Sequence, residues 1–421
     1  MQRHYFWIIS CLLLLLIGSS CISSPDLKAA PDPDVLPSPT PFQPDLHGSP
    51  SPLPTFDSRD IATFTPYPTV VPRNGTYLAP SVSSSSDAPS ITIDPLTGLP
   101  PADPSLLQRR PLAIKIALYP RVVPVFGLSL VDVAFEYYIE WGDSRFIGVF
   151  YGHDASQVGP VRSGRYFDEH VLRMYHAYYV FNNADPREQD YFLGSDFERF
   201  LVAPGANDAP CPPFFTFRWS KDVSDVNHFE QYFDTTKFSN CLAKKGADNS
   251  YQSLRSSFFS GQAPITGTPV KRIYTRYSDN DYDYWDYDST SGRYLRYQQP
   301  NDLGDPVETY VPLTDNLTNQ QVAADNVITL FVPYTFANLN EQQDEVYHVN
   351  LIDSGNAFVF RNGMAVPARW FRTDINEPLL ITNLDGTPIY LKPGQTFFQV
   401  IGESSILSQN STDWHFEFHT P

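Results

Sequence analysis

The stretch Val158 to Arg165 reads Val-Gly-Pro-Val-Arg-Ser-Gly-Arg and constrains the fold more than any other part of the chain. Before it, Arg145-Phe-Ile-Gly-Val-Phe-Tyr151 is a strand-like run. After it, Phe167, Val171, Met174, Tyr175 and Tyr178 recur at helical spacing and predict one apolar face. Ser163 stands where an N-cap is wanted. Asp168 and Glu169 fall in the first turns, where carboxylates oppose the helix dipole. The segment therefore predicts a strand, a Gly-Pro turn and a helix N-terminus. Arg162 and Arg165 would lie beside free backbone N–H groups, an arrangement able to hold an anion. The alternative is that both arginines pair with carboxylates of the chain and only fix the turn.

The balance of charge makes that arginine pair stand out. The formal net charge is −18, so clustered cations are scarce and nucleic acid is excluded as a partner. An anionic membrane surface offers such a chain nothing either. With 25 Tyr and 30 Phe among 421 residues, a sizeable core can be buried.

Residues 1–21 form an export signal. Arg3 and the terminal amine give a positive end, Tyr5 to Ile17 is apolar, and Gly18-Ser-Ser20 precedes Cys21. The apolar run is shorter than the ~20 residues of a spanning helix. Ile-Gly-Ser-Ser-Cys resembles a bacterial lipobox, in which Cys21 is lipidated and becomes the new N-terminus. The membrane is then reached through that lipid, and the body is extracytoplasmic. Simple secretion and a retained anchor are the alternatives. Residues 22–90 are rich in Pro, Ser and Thr with no apolar period, and read as a disordered tether. Extended at ~3.1 Å per residue, such a tether reaches on the order of 200 Å. Of the other cysteines, Cys211 and Cys241 remain after export. They are candidates for one disulfide, stabilising by about 3–4 kcal/mol on the chain-entropy model, or else are buried free thiols. Their spacing is not that of a zinc site.

The folded body begins near Ile91. Residues 91–265 predict an α/β domain with a mixed sheet: strands at 110–117, 133–140 and 145–151, a short helix capped near Ser129, the helix after Arg165, a strand at 177–181 and a helix at 190–200. Residues 266–421 predict a mostly antiparallel β domain. Aromatic and polar residues alternate at period two in 272–277, 282–287 and 293–297, and strands follow at 326–332, 346–351, 357–361, 364–371, 379–382, 389–392 and 396–401.

These residues resemble the YerB-like family of bacterial lipoproteins, which is named after a domain of unknown function. The likeness is carried by Arg110-Pro-Leu-Ala-Ile-Lys-Ile116, Gly127-Leu-Ser-Leu-Val-Asp-Val-Ala-Phe-Glu136, Glu140, Arg145 and the Val158–Arg165 stretch. In the second half it rests on Asn326-Val-Ile-Thr-Leu330, Arg361-Asn-Gly363, Arg369-Trp-Phe371 and Leu391-Lys-Pro-Gly-Gln-Thr-Phe397. It covers about residues 92 to 402. The resemblance implies an exported, lipid-anchored protein with an α/β domain followed by a β domain, and implies no established activity. The chain departs from the family at Phe181-Asn-Asn-Ala-Asp-Pro186 and at Asp225-Val-Asn-His228.

The candidate ligand-binding set is Glu136, Glu140, Arg145, Arg162, Ser163 and Arg165, with Asn227 and His228 outside it. Glu136 and Glu140 are four apart, which on a regular strand puts both on one face. Arg145 returns beside them across a hairpin. The functional reading is a pocket for an anionic or sugar-like envelope molecule at a strand end. The bland reading is an interior ion-pair network. No residue is assigned a catalytic role, and no metal or cofactor is expected. The alternatives are an envelope hydrolase acting on cell-wall glycan or phosphoester through Glu136 and Glu140, and a scaffold whose β domain holds another protein. The acidic run Asp279 to Asp288 resembles a cation site at a glance. Its carboxylates alternate with Tyr and Trp, and the EF-hand glycine and terminal Glu are missing, so a solvated hairpin face is expected. The same tyrosines could stack on sugars, and cross-strand aromatic pairs are their ordinary explanation.

Overall fold

The computed structural model describes residues 92–118, 124–204, 214–216, 231–254, 257–300, 307–337 and 345–419. The signal, Cys21, the tether, Cys211, Asn227 and His228 lie outside them. The body is mostly β. Its first half contributes β1 (Leu112–Ala117), β2 (Val133–Glu140), β3 (Asp143–Phe150), α1 (Asp168–Met174), β4 (Tyr178–Val180), α2 (Pro186–Leu193), β5 (Leu201–Val202) and α3 (Phe238–Lys245). The second half contributes β6 (Arg272–Arg276), β7 (Tyr282–Asp288), β8 (Arg293–Gln298), β9 (Asn326–Val332), β10 (Asp353–Arg361), β11 (Met364–Arg372), β12 (Leu380–Asn383), β13 (Thr396–Gly402), β14 (Ile406–Asn410) and β15 (Asp413–Glu417).

Strands of both halves form one eleven-stranded mixed sheet in the order β12-β11-β10-β9-β13-β2-β3-β1-β4-β5, with Thr268–Pro269 added beside β11. The seam is parallel: β13 runs alongside both β2 and β9. The segments 91–265 and 266–421 therefore both contribute strands to this sheet. The second half is also less uniformly antiparallel than expected, because β9–β13 and β6–β15 are parallel pairs.

The second sheet, built around β8-β7-β6-β15-β14, covers one face of the first. Trp285 meets Phe397 at 5.0 Å, and Phe358 meets Trp414 at 5.1 Å. The other face carries α1, where Phe135 stacks on Phe398 at 4.5 Å and touches Phe167. The central strands are thus buried on both faces, which explains their continuous apolar runs.

In the second sheet the period-two alternation is real, but the inward face is not the tyrosine face. Tyr274, Tyr284 and Tyr297 point outward, in register with one another and with His415. Tyr284 and Tyr297 stack at 4.7 Å, and Tyr274 and His415 at 4.4 Å. Rings that close and nearly parallel face each other, so their faces are covered by neighbours, as in ordinary cross-strand pairs. The inward positions are Asp283, Trp285, Tyr294 and Arg296, all fully buried. The expectation of a solvated hairpin face for 279–288 fails at Asp281 and Asp283, which are 5% and 0% exposed.

Candidate functional site

The helix predicted to start at Ser163 starts later. Phe167 is the N-cap and makes no side-chain cap bond. Residues 158–164 are held extended instead. Val161 bridges Ile116, Gly164 bridges Ala184, and the Arg162 N–H donates to the Lys115 carbonyl at 3.1 Å. Arg162 and Arg165 therefore precede the helix, and no bundle of free helical N–H groups stands beside them. The segment Phe181–Pro186, one of the departures from the family pattern, forms the neighbouring wall: Asn182 N–H donates to the Arg162 carbonyl, and Gly164 N–H to the Asn183 carbonyl. Asp185 then caps α2 by accepting from Arg187 N–H, with Pro186 in the first turn. That Asp-Pro signature sets the helix start at 186 rather than at the expected 190.

The predicted residues are brought together in part. Arg165 donates from Nε to Glu140 at 2.6 Å and from Nη2 to the other carboxylate oxygen, a bidentate pair. Its Nη1 lies 3.7 Å from Glu188. Arg145, opposite Tyr137 in the β2–β3 ladder, donates to the Ser163 carbonyl at 3.2 Å and lies 3.9 Å from Glu140. Burial, and next the charge of Arg165, pull Arg145 down to about 9. Glu188 is fully buried, and burial pushes its carboxyl up to about 7.

Glu136 is not part of this group. The β2–β3 register shifts between Tyr138 and Glu140. A bulge there rotates Glu140 to the α1 face, while Glu136 stays on the face covered by the second sheet. Glu136 is held by Arg296 through bonds of 2.8 and 2.5 Å, and accepts from Ser144 Oγ at 3.4 Å. The two carboxylates expected on one face are on opposite faces, each bound to its own arginine. The hydrolase reading through a Glu136/Glu140 pair is corrected on that ground, because a glycosidase pair must flank one bond.

Two clusters escaped the sequence reading. Beneath the arginines, Asp168 accepts from Lys115 Nζ at 3.1 Å, Tyr137 OH at 2.6 Å, Tyr179 OH at 2.5 Å and Arg165 N–H at 2.8 Å. Burial pulls Lys115 down to about 7 in spite of Asp168. The lysine inside the apolar run Arg110–Ala117 was the available signal: a charge in a fully buried strand requires a partner. At the opposite end of β3, Asp132 takes the N–H groups of Tyr151 and Gly152 on one oxygen and His153 Nδ1 at 2.6 Å on the other. Asp94 lies beside it. Burial, and next the Asp132 charge, push Asp94 from 3.8 up to about 8. An acid raised in this way stabilises fully below its unfolded value, and that contribution is lost as pH rises through about 8. Asp94→Asn is expected to flatten the loss of stability between about pH 4 and 8, seen by comparing Tm–pH profiles of the two proteins.

Cys241 is disulfide-bonded. Among the described residues, no helix is long and apolar enough to cross a membrane.

Residues 96–248 match a family described as "Protein of unknown function (DUF3048) N-terminal domain", and residues 273–398 match its C-terminal domain. The chain belongs to the YerB-like (DUF3048) family. A Bacillus subtilis (strain 168) member named "Putative lipoprotein YerB" is 23% identical over 317 residues, spanning 73% of this chain and 85% of that protein. The crystal structure of YerB from Bacillus subtilis matches with a TM-score of 0.58 at 22% identity, over 73% of this chain and 96% of that one. At that identity the structural likeness speaks for the YerB-like fold alone.

Proposed function

We propose that this is an exported, lipid-tethered cell-envelope protein whose body binds an anionic envelope ligand at the extended segment that carries Arg162, Ser163 and Arg165. The observation that carries the reading is a gathering of guanidiniums in an acidic chain. Arg145, Arg162 and Arg165 lie close enough to act on one another, Glu140 and Glu188 stand among them, and burial drives Glu188 toward its neutral form. Ser163, half-buried in the same turn, offers a hydroxyl at the rim. Charge-assisted bonds from such a cluster suit phosphate or carboxylate groups. Glu140 fixes the Arg165 fork, so a ligand would meet the summed field of the three guanidiniums.

Anchoring at Cys21, with a tether over 22–90, places the body outside the membrane. The lipoprotein name of the Bacillus subtilis relative supports that part of the reading. The test is phosphate binding by the full chain and by Arg162→Gln. Loss of one charge-assisted bond is expected to weaken binding about tenfold or more.

A further inference from the structure

Among the described residues, the layer between the two sheets holds three buried carboxylates, Glu136, Asp281 and Asp283, and one buried guanidinium, Arg296. On the large sheet, Thr329, Gln399 and Glu136 lie side by side in register across β9, β13 and β2. Facing them, Thr275, Asp283 and Gln298 lie side by side across β6, β7 and β8. Arg296 joins the rows, pairing with Glu136 and, at 3.0 Å, with Asp283 Oδ1; Gln399 Nε2 donates to the same Asp283 oxygen at 3.1 Å. Asp281, two residues before Asp283 on the same side, accepts the Ser144 N–H on Oδ2. Two of the three carboxylates thus share the one guanidinium, Asp281 meets a backbone N–H instead, and buried charge without a counter-charge is strongly disfavoured.

The same layer holds buried oxygens with no hydrogen-bond partner: Oδ1 of Asp281, Oδ2 of Asp283, Oε1 of Gln298 and of Gln399, and the hydroxyls of Thr275 and Thr329. We propose that they form a binding site for a hard divalent cation of the calcium class, with Asp281 and Asp283 as the charged ligands and the two glutamine amides as neutral ones. The donor type decides the class. The orphaned acceptors are all oxygens, while the orphaned nitrogens of the layer, Arg296 Nε and Trp285 Nε1, are donors that cannot ligate a metal; an oxygen set suits calcium and not zinc or copper. A charge of two offsets the two carboxylates that Arg296 leaves over. Glu136 stays with Arg296, and among the described residues no set of three Asp, Glu, His or Cys side chains is placed to hold a metal ion. The site therefore depends on amide and hydroxyl oxygens to complete its shell, as calcium tolerates.

The full chain is refolded in calcium or in EDTA at matched ionic strength and melted. The Tm is expected to be several degrees higher with calcium, and Asp283→Asn to abolish the difference. Terbium gives a second readout that needs no folded variant. Trp285 is fully buried, two residues from Asp283, and should sensitise bound terbium on excitation. Trp285→Phe should remove most of that emission and keep the calcium-dependent Tm. Equal melting in calcium and EDTA together with no sensitised emission overturns the site. So does a Tm that ignores calcium in the unaltered chain. If Asp283→Asn does not fold, Asp281→Asn serves, and an undiminished calcium response in it counts against the proposal.

Discussion

Arg296→Met is expected to destabilise the body by about 3–5 kcal/mol, measured as the shift in the urea unfolding curve, because removing one partner strands the other as an uncompensated buried charge. Arg296 is fully buried and holds Glu136 and Asp283, themselves 1% and 0% exposed. Methionine fills similar volume and supplies no charge. The cause is checked by a second substitution. Glu136→Gln in the Arg296→Met background removes one stranded charge and should recover part of the loss, whereas a defect of packing would not respond. Unchanged stability in Arg296→Met would mean that the acids of this layer are neutral without it.

A loss of similar size, about 3–5 kcal/mol, is expected for Asp168→Ala on the opposite face of the sheet. The carboxylate accepts from one ammonium, two phenols and one backbone N–H; without it the two phenols and the N–H lose their acceptor together, and Lys115 Nζ keeps only Tyr137 OH. Lys115→Met should cost less. Asp168 then keeps both tyrosines and the Arg165 N–H, and a lysine already drawn down to about 7 gives up little charge. The order of the two effects, read from urea midpoints, is the informative quantity. A larger loss for Lys115→Met would mean that the ammonium, not the carboxylate, organises the cluster.

Much of the strand content is legible in the sequence because it is local. Asn326–Val332 is apolar enough to be read to the residue, and Val133–Glu140 and the Trp141-Gly142 turn also fall where the sequence puts them. What the sequence does not reveal is which strands meet. The parallel seam β2–β13–β9 joins segments far apart in the chain, so neither half alone announces the sheet they share. The site failed for a related reason. Glu136 finds Arg296 160 residues away, and a single bulge reverses the face of Glu140. Neither a distant partner nor an extra residue in a ladder leaves a mark on local periodicity. The acidic hairpin misled because alternation tells that two faces differ, not which is inside. Here the stacked tyrosines took the outside, and Asp283 and Arg296 the core.

The central claim is that the guanidinium cluster around Arg162 binds an anionic ligand. Calorimetric titration of inorganic phosphate into the full chain, beside Arg162→Gln at the same ionic strength, tests it most directly. Saturable binding is expected in the first, weakened about tenfold or more in the second, with both proteins melting at closely similar temperatures. Phosphate that binds neither protein, or binds both equally, would show that Arg145, Arg162 and Arg165 serve only the chain's own carboxylates.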